Sequence, residues 1–200
     1  KKITNKNLNT EIYIPHFFCF GQYEIESAKL FNVNIKNFYK VGSINTSNFF
    51  NYLKGNNKIL EKNKFDICLI SEPQFDENKR YMANGVEEGY ALMANYTTKF
   101  AKKFNCKFVF ATKRYKYSKK YPADLFKKEM NFFKKFMDKE NFKFLLEHAI
   151  SKENFFSSYL AMFQSKVTVG TQSTLLRDKI GLGEKILSCN LTGLKIQDFP

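Results

Sequence analysis

Lys166-Val-Thr-Val-Gly170-Thr171-Gln172-Ser173-Thr174-Leu-Leu-Arg177-Asp-Lys-Ile-Gly181-Leu-Gly183 carries the clearest local pattern in the chain. The short apolar run Val167–Val169 predicts a buried strand, and the pattern from Thr174 to Ile180, closed by glycines, predicts a helix. Between them lie a glycine and a run of hydroxyls. Strand, turn and helix start in this order place the turn at the carboxyl end of a strand, where ligands bind in open parallel sheets. A helix start offers unpaired N–H groups and about half a positive charge, which suits an anion. Gly170 would let backbone and ligand approach closely, and Ser173 and Thr174 could bond a phosphate oxygen. The plainer alternative is that Ser173 is only an N-cap. No G-x-x-x-x-G-K-[ST] occurs, so the turn is not a P-loop.

Upstream of this stretch the same alternation repeats. Phe65–Ile70 and Lys107–Thr112 predict strands, Phe142–Leu146 predicts a third, and Lys185–Cys189 a last one beyond the turn. Between them lie helical patterns. Val86, Tyr90, Met93, Thr97, Phe100 and Phe104 recur at spacings of three and four behind a capping box at Asn84–Glu87. Phe126, Met130, Phe133 and Met137 follow Pro122, and Phe155 to Phe163 follow Ser151. Repeated strand–helix–strand units require a parallel sheet with helices on both faces, a Rossmann-like α/β fold. Before Lys64 the chain reads differently. Strand-like runs flank Pro15-His16, Tyr23–Phe31 predicts a helix, Ile35–Val41 a strand ending at Gly42-Ser43, and Asn48–Leu53 a short helix. The polar, glycine-containing stretch after Lys54 marks a linker. The predicted organisation is therefore residues 1–55 as the tail of one domain, 56–63 as linker, and 64–200 as a Rossmann-like domain.

Composition narrows the function classes. The chain has 200 residues, 44% hydrophobic, enough for a real core. It starts at Lys1 and stops at Pro200 with no terminating pattern, and is expected to be a piece of a longer protein. The net charge is +14, which favours anionic partners. The lysine pairs recur at helical spacing, as solvated helix backs do, with room for a membrane-facing role for some of them. Cys19, Cys68, Cys106 and Cys189 are widely spaced with no C-x-x-C, so four reduced thiols in a cytoplasmic setting are expected, with Cys68 and Cys189 buried. No apolar run is long enough to span a bilayer. The chain lacks G-x-G-x-x-G, G-x-S-x-G and D-x-D, and no metal site or cofactor is expected. No RNP, KH or zinc signature accompanies the basic charge, so nucleic acid is not the expected partner.

In a doubly wound sheet the functional residues gather in the loops that follow the strands. Those loops offer Glu72, Lys113 and Arg114, His148, and Gly170, Thr171, Gln172, Ser173 and Thr174. Together they would supply a helix start, two cations, a carboxylate and an imidazole, a mixture suited to a nucleotide phosphate bearing a sugar or polyol. Singly, each has a plain alternative: solvated charges for Lys113 and Arg114, a rim residue for His148, a turn cap for Glu72.

The block Ser157–Asn190, with its turn Gln172-Ser173-Thr174 and following strand Lys185-Ile186-Leu187, resembles the C-terminal half of GT-B-type transferases. The likeness is closest to bacterial surface-carbohydrate biosynthesis proteins of capsule or O-antigen type. More distantly the block is similar to CDP-glycerol glycerophosphotransferases and polysialyltransferases. Tyr39-Lys-Val-Gly42-Ser43 likewise resembles the segment before the interdomain linker of such proteins, which adds Gly42 and Ser43 to the candidate binding residues. The resemblance implies a two-domain, metal-independent glycosyltransferase with a nucleotide-sugar donor on the C-terminal domain and a glycan or lipid-linked acceptor. The reduced thiols place the chain in the cytoplasm, and the basic charge leaves room for peripheral contact with an anionic membrane at its inner face. Lys113-Arg114 stand where the family often has His-Pro, and Arg177 where many relatives carry an acidic residue that bonds ribose, so the donor stays open. No catalytic residue is assigned; His16 and Glu24 are the local candidates for a general base. The competing readings are a non-catalytic basic module for nucleic acid or membrane, and a sugar-nucleotide epimerase of the same fold.

Overall fold

The computed structural model describes residues 13–73, 86–114, 123–150, 154–195 and 198–199. The predicted capping box at Asn84–Glu87, most of the loops after Pro73 and Arg114, Pro122 and the Ser151 cap lie outside them. The chain divides into two compact units, residues 1–50 and 51–200.

In the first unit, β1 (Tyr13–Cys19) runs unbroken through Pro15 and pairs in parallel with β2 (Asn34–Lys40), with Phe17 opposite Phe38 and Phe18 opposite Tyr39. Between them lies α1 (Gln22–Leu30), where Glu24 accepts from the N–H of Gly21 at 3.0 Å. Gly42 follows β2 with φ of +70°, a left-handed turn that a side chain would strain. Helix α2 (Ile44–Gly55) then runs across the boundary between the units. It is longer than the predicted Asn48–Leu53 because Ser43 caps it, its Oγ accepting from the N–H of Thr46 at 3.1 Å. Asn32 and Asn57 take positive φ just beyond α1 and α2, as does Asn105 beyond the later helix Val86–Lys103, so asparagine here ends helices where glycine usually does.

The second unit holds β3 (Phe65–Ile70), α3 (Val86–Lys103), β4 (Phe108–Ala111), α4 (Ala123–Phe136), α5 (Lys139–Glu147), α6 (Ser157–Phe163), β5 (Ser165–Gly170), α7 (Thr174–Gly181) and β6 (Lys185–Ser188). Its four strands are all parallel, in the order β4-β3-β5-β6. The fold is α/β and Rossmann-like, as the alternation predicts. One side of the sheet buries Leu69, Phe110 and Val169 under Tyr90, Met93, Phe133 and Leu145 from α3, α4 and α5. The other buries Cys68, Ile70 and Val109 under Ala161 and Leu176 from α6 and α7.

Phe142–Leu146, predicted as a strand, is helical. Phe142, Phe144 and Leu146 alternate, which reads as a strand, but burial follows the helical spacing Asn141 and Leu145. Asn141 donates to Asn95 of α3 at 2.8 Å, and Asp138, the N-cap residue, accepts from the same Asn95 amide at 2.9 Å. Both bonds reach α3 from residues three apart, which only a helix presents on one side. The place of the missing strand is taken by one bridge, Phe110 to Ala149, with the N–H groups of Phe110 and Ile150 bonded at 2.9 and 3.0 Å.

Candidate functional site

The strand order sets where a ligand would lie. After β3 the chain moves outward to β4; after β5 it moves the other way to β6. Neighbouring β3 and β5 therefore form the switch point, and the place beyond their carboxyl ends, where the crevice of such a sheet lies, is flanked by Ser71–Pro73 and Gly170–Thr174.

The turn is as predicted, strand then helix start. Ser173 is the N-cap of α7, its Oγ accepting from Leu175 N–H at 3.3 Å, and Thr174 is the first helical residue and exposed. Its backbone donors, however, already hold an anion: the side chain of Glu72. Oε1 accepts from Thr171 N–H at 2.5 Å and Oε2 from Gln172 N–H at 2.9 Å. The group that approaches Gly170 is this same carboxylate, since a Cβ there would meet Glu72 Oε1 at 2.5 Å. Burial raises the pKa of Glu72; the N–H groups of Gln172, Thr171 and Ser173 and the charge of Lys113 oppose that rise. The turn is also tied to β6, through Thr171 Oγ1 to the Cys189 carbonyl at 3.0 Å and Ser188 Oγ to the Thr171 carbonyl at 2.9 Å.

Lys113 joins the same place from the end of β4. Its Nζ lies 3.4 Å from the carbonyl oxygens of both Glu72 and Pro73. Burial, then Arg114, lowers its pKa, while Glu129 and Glu72 pull the other way. The loop that carries it has its own internal anion. Glu129 of α4, fully buried, accepts from the N–H groups of Lys113 and Arg114, both at 2.9 Å. Two strand-end loops are thus each closed by a carboxylate spanning two successive N–H groups. Two polar atoms beside them have no hydrogen-bond partner among the described residues: Ser71 Oγ, buried at the end of β3, and Arg114 Nε.

The structure thus gathers Glu72, Lys113, Arg114 and Gly170–Thr174. It does not gather His148. That residue precedes the bridge at Ala149, beside the middle of β4, with Nδ1 2.8 Å from the Phe144 carbonyl and its ring stacked on Phe144 at 4.0 Å. With residues 142–146 helical, no strand end is left there to point it at the crevice. Gly42 and Ser43 belong to the other unit, where they form the turn and cap of α2. Cys189, expected buried, is only partly buried just beyond β6, packed against the core with its thiol pKa raised by that burial, whereas Cys68 is fully buried and its thiol is pushed up to about 12.

Two residues of the site escape a reading of the sequence. Glu129 sits among the lysines of α4 and looks like a solvated charge, yet faces inward. Tyr90 reads as core spacing on α3, yet lies near enough to Glu72 that burial and the Glu72 charge push its hydroxyl to about 12. Among the described residues no three His, Cys, Asp or Glu side chains gather as metal ligands, and no helix is long and apolar enough to cross a membrane. No protein-family model matches the chain, and no curated protein matches it at a significant level.

Proposed function

We propose that the second unit binds the nucleotide of an activated sugar donor in the crevice beyond β3 and β5, and that the protein is a metal-independent, glycosyltransferase-like enzyme of surface-polysaccharide biosynthesis. The observation that carries this reading is the meeting of three elements at the switch point. The Lys113 ammonium, the Glu72 side chain and the first turn of α7 converge there, from three different strand ends. Sugar transfer breaks the bond between the anomeric carbon and the phosphate oxygen, and negative charge grows on the departing phosphate. Stabilising it takes fixed positive charge in a site already organised before reaction. Lys113 supplies the charge, Arg114 a second cation, and Thr174 a hydroxyl at the positive end of α7. Glu72 and Glu129 hold the two loops in place through their backbone N–H groups, so the loops need not reorganise when the donor arrives. Ser71 Oγ and Arg114 Nε, without a partner among the described residues, fit groups that a ligand would satisfy.

The test is calorimetric titration of the full chain with CMP, CDP, UDP and GDP. At least one nucleotide is expected to bind, and Lys113→Ala to weaken it at least about tenfold, equivalent to about 1.4 kcal/mol. Absence of binding by all four, or an unchanged affinity in Lys113→Ala, would defeat the proposal.

A further inference from the structure

A surface far from the crevice has its own chemistry. Along the outer side of α3, Leu92, Tyr96, Phe100 and Phe104 recur every fourth residue and are 41%, 58%, 52% and 57% exposed. Phe100 and Phe104 lie against each other with ring centroids 4.5 Å apart. An apolar stripe on a helix normally faces a core; the core face of α3 is a different one, made by Tyr90, Met93, Ala94 and Ala101, all buried. The stripe follows the helix for about 18 Å at 1.5 Å per residue. Its carboxyl-terminal half is flanked by exposed Lys99, Lys102 and Lys103, and Lys103 Nζ lies 5.4 Å above the Phe104 ring. Lys107 follows, also exposed; the Asp66 carboxylate accepts from its N–H at 2.8 Å and is itself paired with Lys166 at 2.7 Å. The aromatic end of α3 leads into the start of β4, so it lies at the amino edge of the sheet, opposite the carboxyl edge where the crevice is.

We propose that this stripe is a docking surface for an anionic lipid bilayer. Aromatic and aliphatic side chains enter the boundary between headgroups and acyl chains, and the flanking ammonium groups meet the lipid phosphates. Aromatic rings are the side chains that favour this boundary. Nucleic acid would meet the same charge and stack its bases on the rings, but it offers no apolar medium for the aliphatic Leu92 at the other end of the stripe, which a bilayer does. This orientation turns the carboxyl edge of the sheet away from the membrane while the amino edge rests on it.

The test is co-sedimentation of the full chain with vesicles of phosphatidylcholine alone and with about 30% phosphatidylglycerol, the anionic lipid supplying the surface charge. Binding is expected only to the second. Phe100→Ser with Phe104→Ser, and separately Lys99→Gln with Lys103→Gln, should each lower the partition coefficient at least about tenfold, and salt at about 0.5 M should release the protein by screening. All these side chains are exposed, so the far-ultraviolet spectrum should not change. Should the serine variant misfold, Lys103→Glu at a solvated position gives the same reading. Lys113→Ala is expected to bind vesicles like the wild type, whatever nucleotides do. Equal binding to both vesicles, binding to neither, unchanged partition of the variants, or displacement from the vesicles by poly(U) RNA would overturn the proposal.

Discussion

Replacing Gly170 by alanine probes the hold of Glu72 on the turn. The new Cβ would stand 2.5 Å from Glu72 Oε1 and 3.1 Å from Leu176 Cδ1. A carboxylate is the free end of a flexible side chain and can retreat, but here retreat breaks its bond to Thr171 N–H, on a residue that is 1% exposed. A buried donor left unpaired costs about 1–3 kcal/mol. Leu176 is fully buried, so its methyl cannot move freely, and overpacking of this kind costs about 1–3 kcal/mol more. Stiffening of the unfolded chain returns about 0.4–1 kcal/mol. The net loss is about 1–5 kcal/mol, which in a chain of this size lowers Tm by about 2–20 °C. Thermal unfolding followed by circular dichroism measures it. The same substitution in a Glu72→Ala background should cost at least about 1 kcal/mol less, because the clashing group is gone and the residues are in contact. A Tm within about 1 °C of wild type, or an equal loss in both backgrounds, would refute the reasoning.

The raised pKa of Glu72 has a definite sign in stability. Its folded value lies above the ordinary 4.5, so its contribution is fully present below that pH and is lost as pH rises through the folded value. Glu72→Gln should therefore show a flatter fall of Tm with pH above 4.5 than the wild type; parallel curves would contradict this. Thiol labelling of the native chain should modify partly exposed Cys106 and Cys189 well before Cys68, whose thiol is pushed to about 12; early modification of Cys68 would show that β3 opens. Lys179 is buried with Nζ donating to the Met162 and Ser165 carbonyls at 2.7 and 2.6 Å. Lys179→Met removes this donor from both carbonyls and takes from Glu184 an ammonium 3.5 Å away, and should cost about 2–4 kcal/mol of stability in urea unfolding, with no cost meaning that the carbonyls find other partners.

The alternation of strands and helices beyond Lys64 was legible because the buried strands are short and continuously apolar. The strand–turn–helix at Gly170 was legible because glycine, hydroxyls and an apolar helical face occur in that order. Phe142–Leu146 was not, because alternating phenylalanines imitate a strand, and the side chains that make it a helix, Asp138 and Asn141, act through Asn95, over forty residues away. His148 was misplaced as a consequence. In the candidate site, the partners of the side chains were less legible than their positions. Glu72 and Lys113 stand at the switch point, but nothing local in Ser71-Glu72-Pro73 says that its carboxylate will fill a turn almost one hundred residues later. That pairing depends on the strand order, which puts β5 beside β3. Glu129 likewise gives no local sign that it faces inward to the loop after β4.

The central claim is that the crevice beyond β3 and β5 takes a nucleotide phosphate, and a crystal structure of the full chain soaked with the nucleotide that binds best tests it most directly. The account predicts phosphate oxygens within about 3 Å of Lys113 Nζ, beside Thr174 at the start of α7, with Glu72 still seated on Thr171 and Gln172. A nucleotide lodged elsewhere, or a phosphate that leaves Lys113 on the Glu72 and Pro73 carbonyls alone, would contradict it.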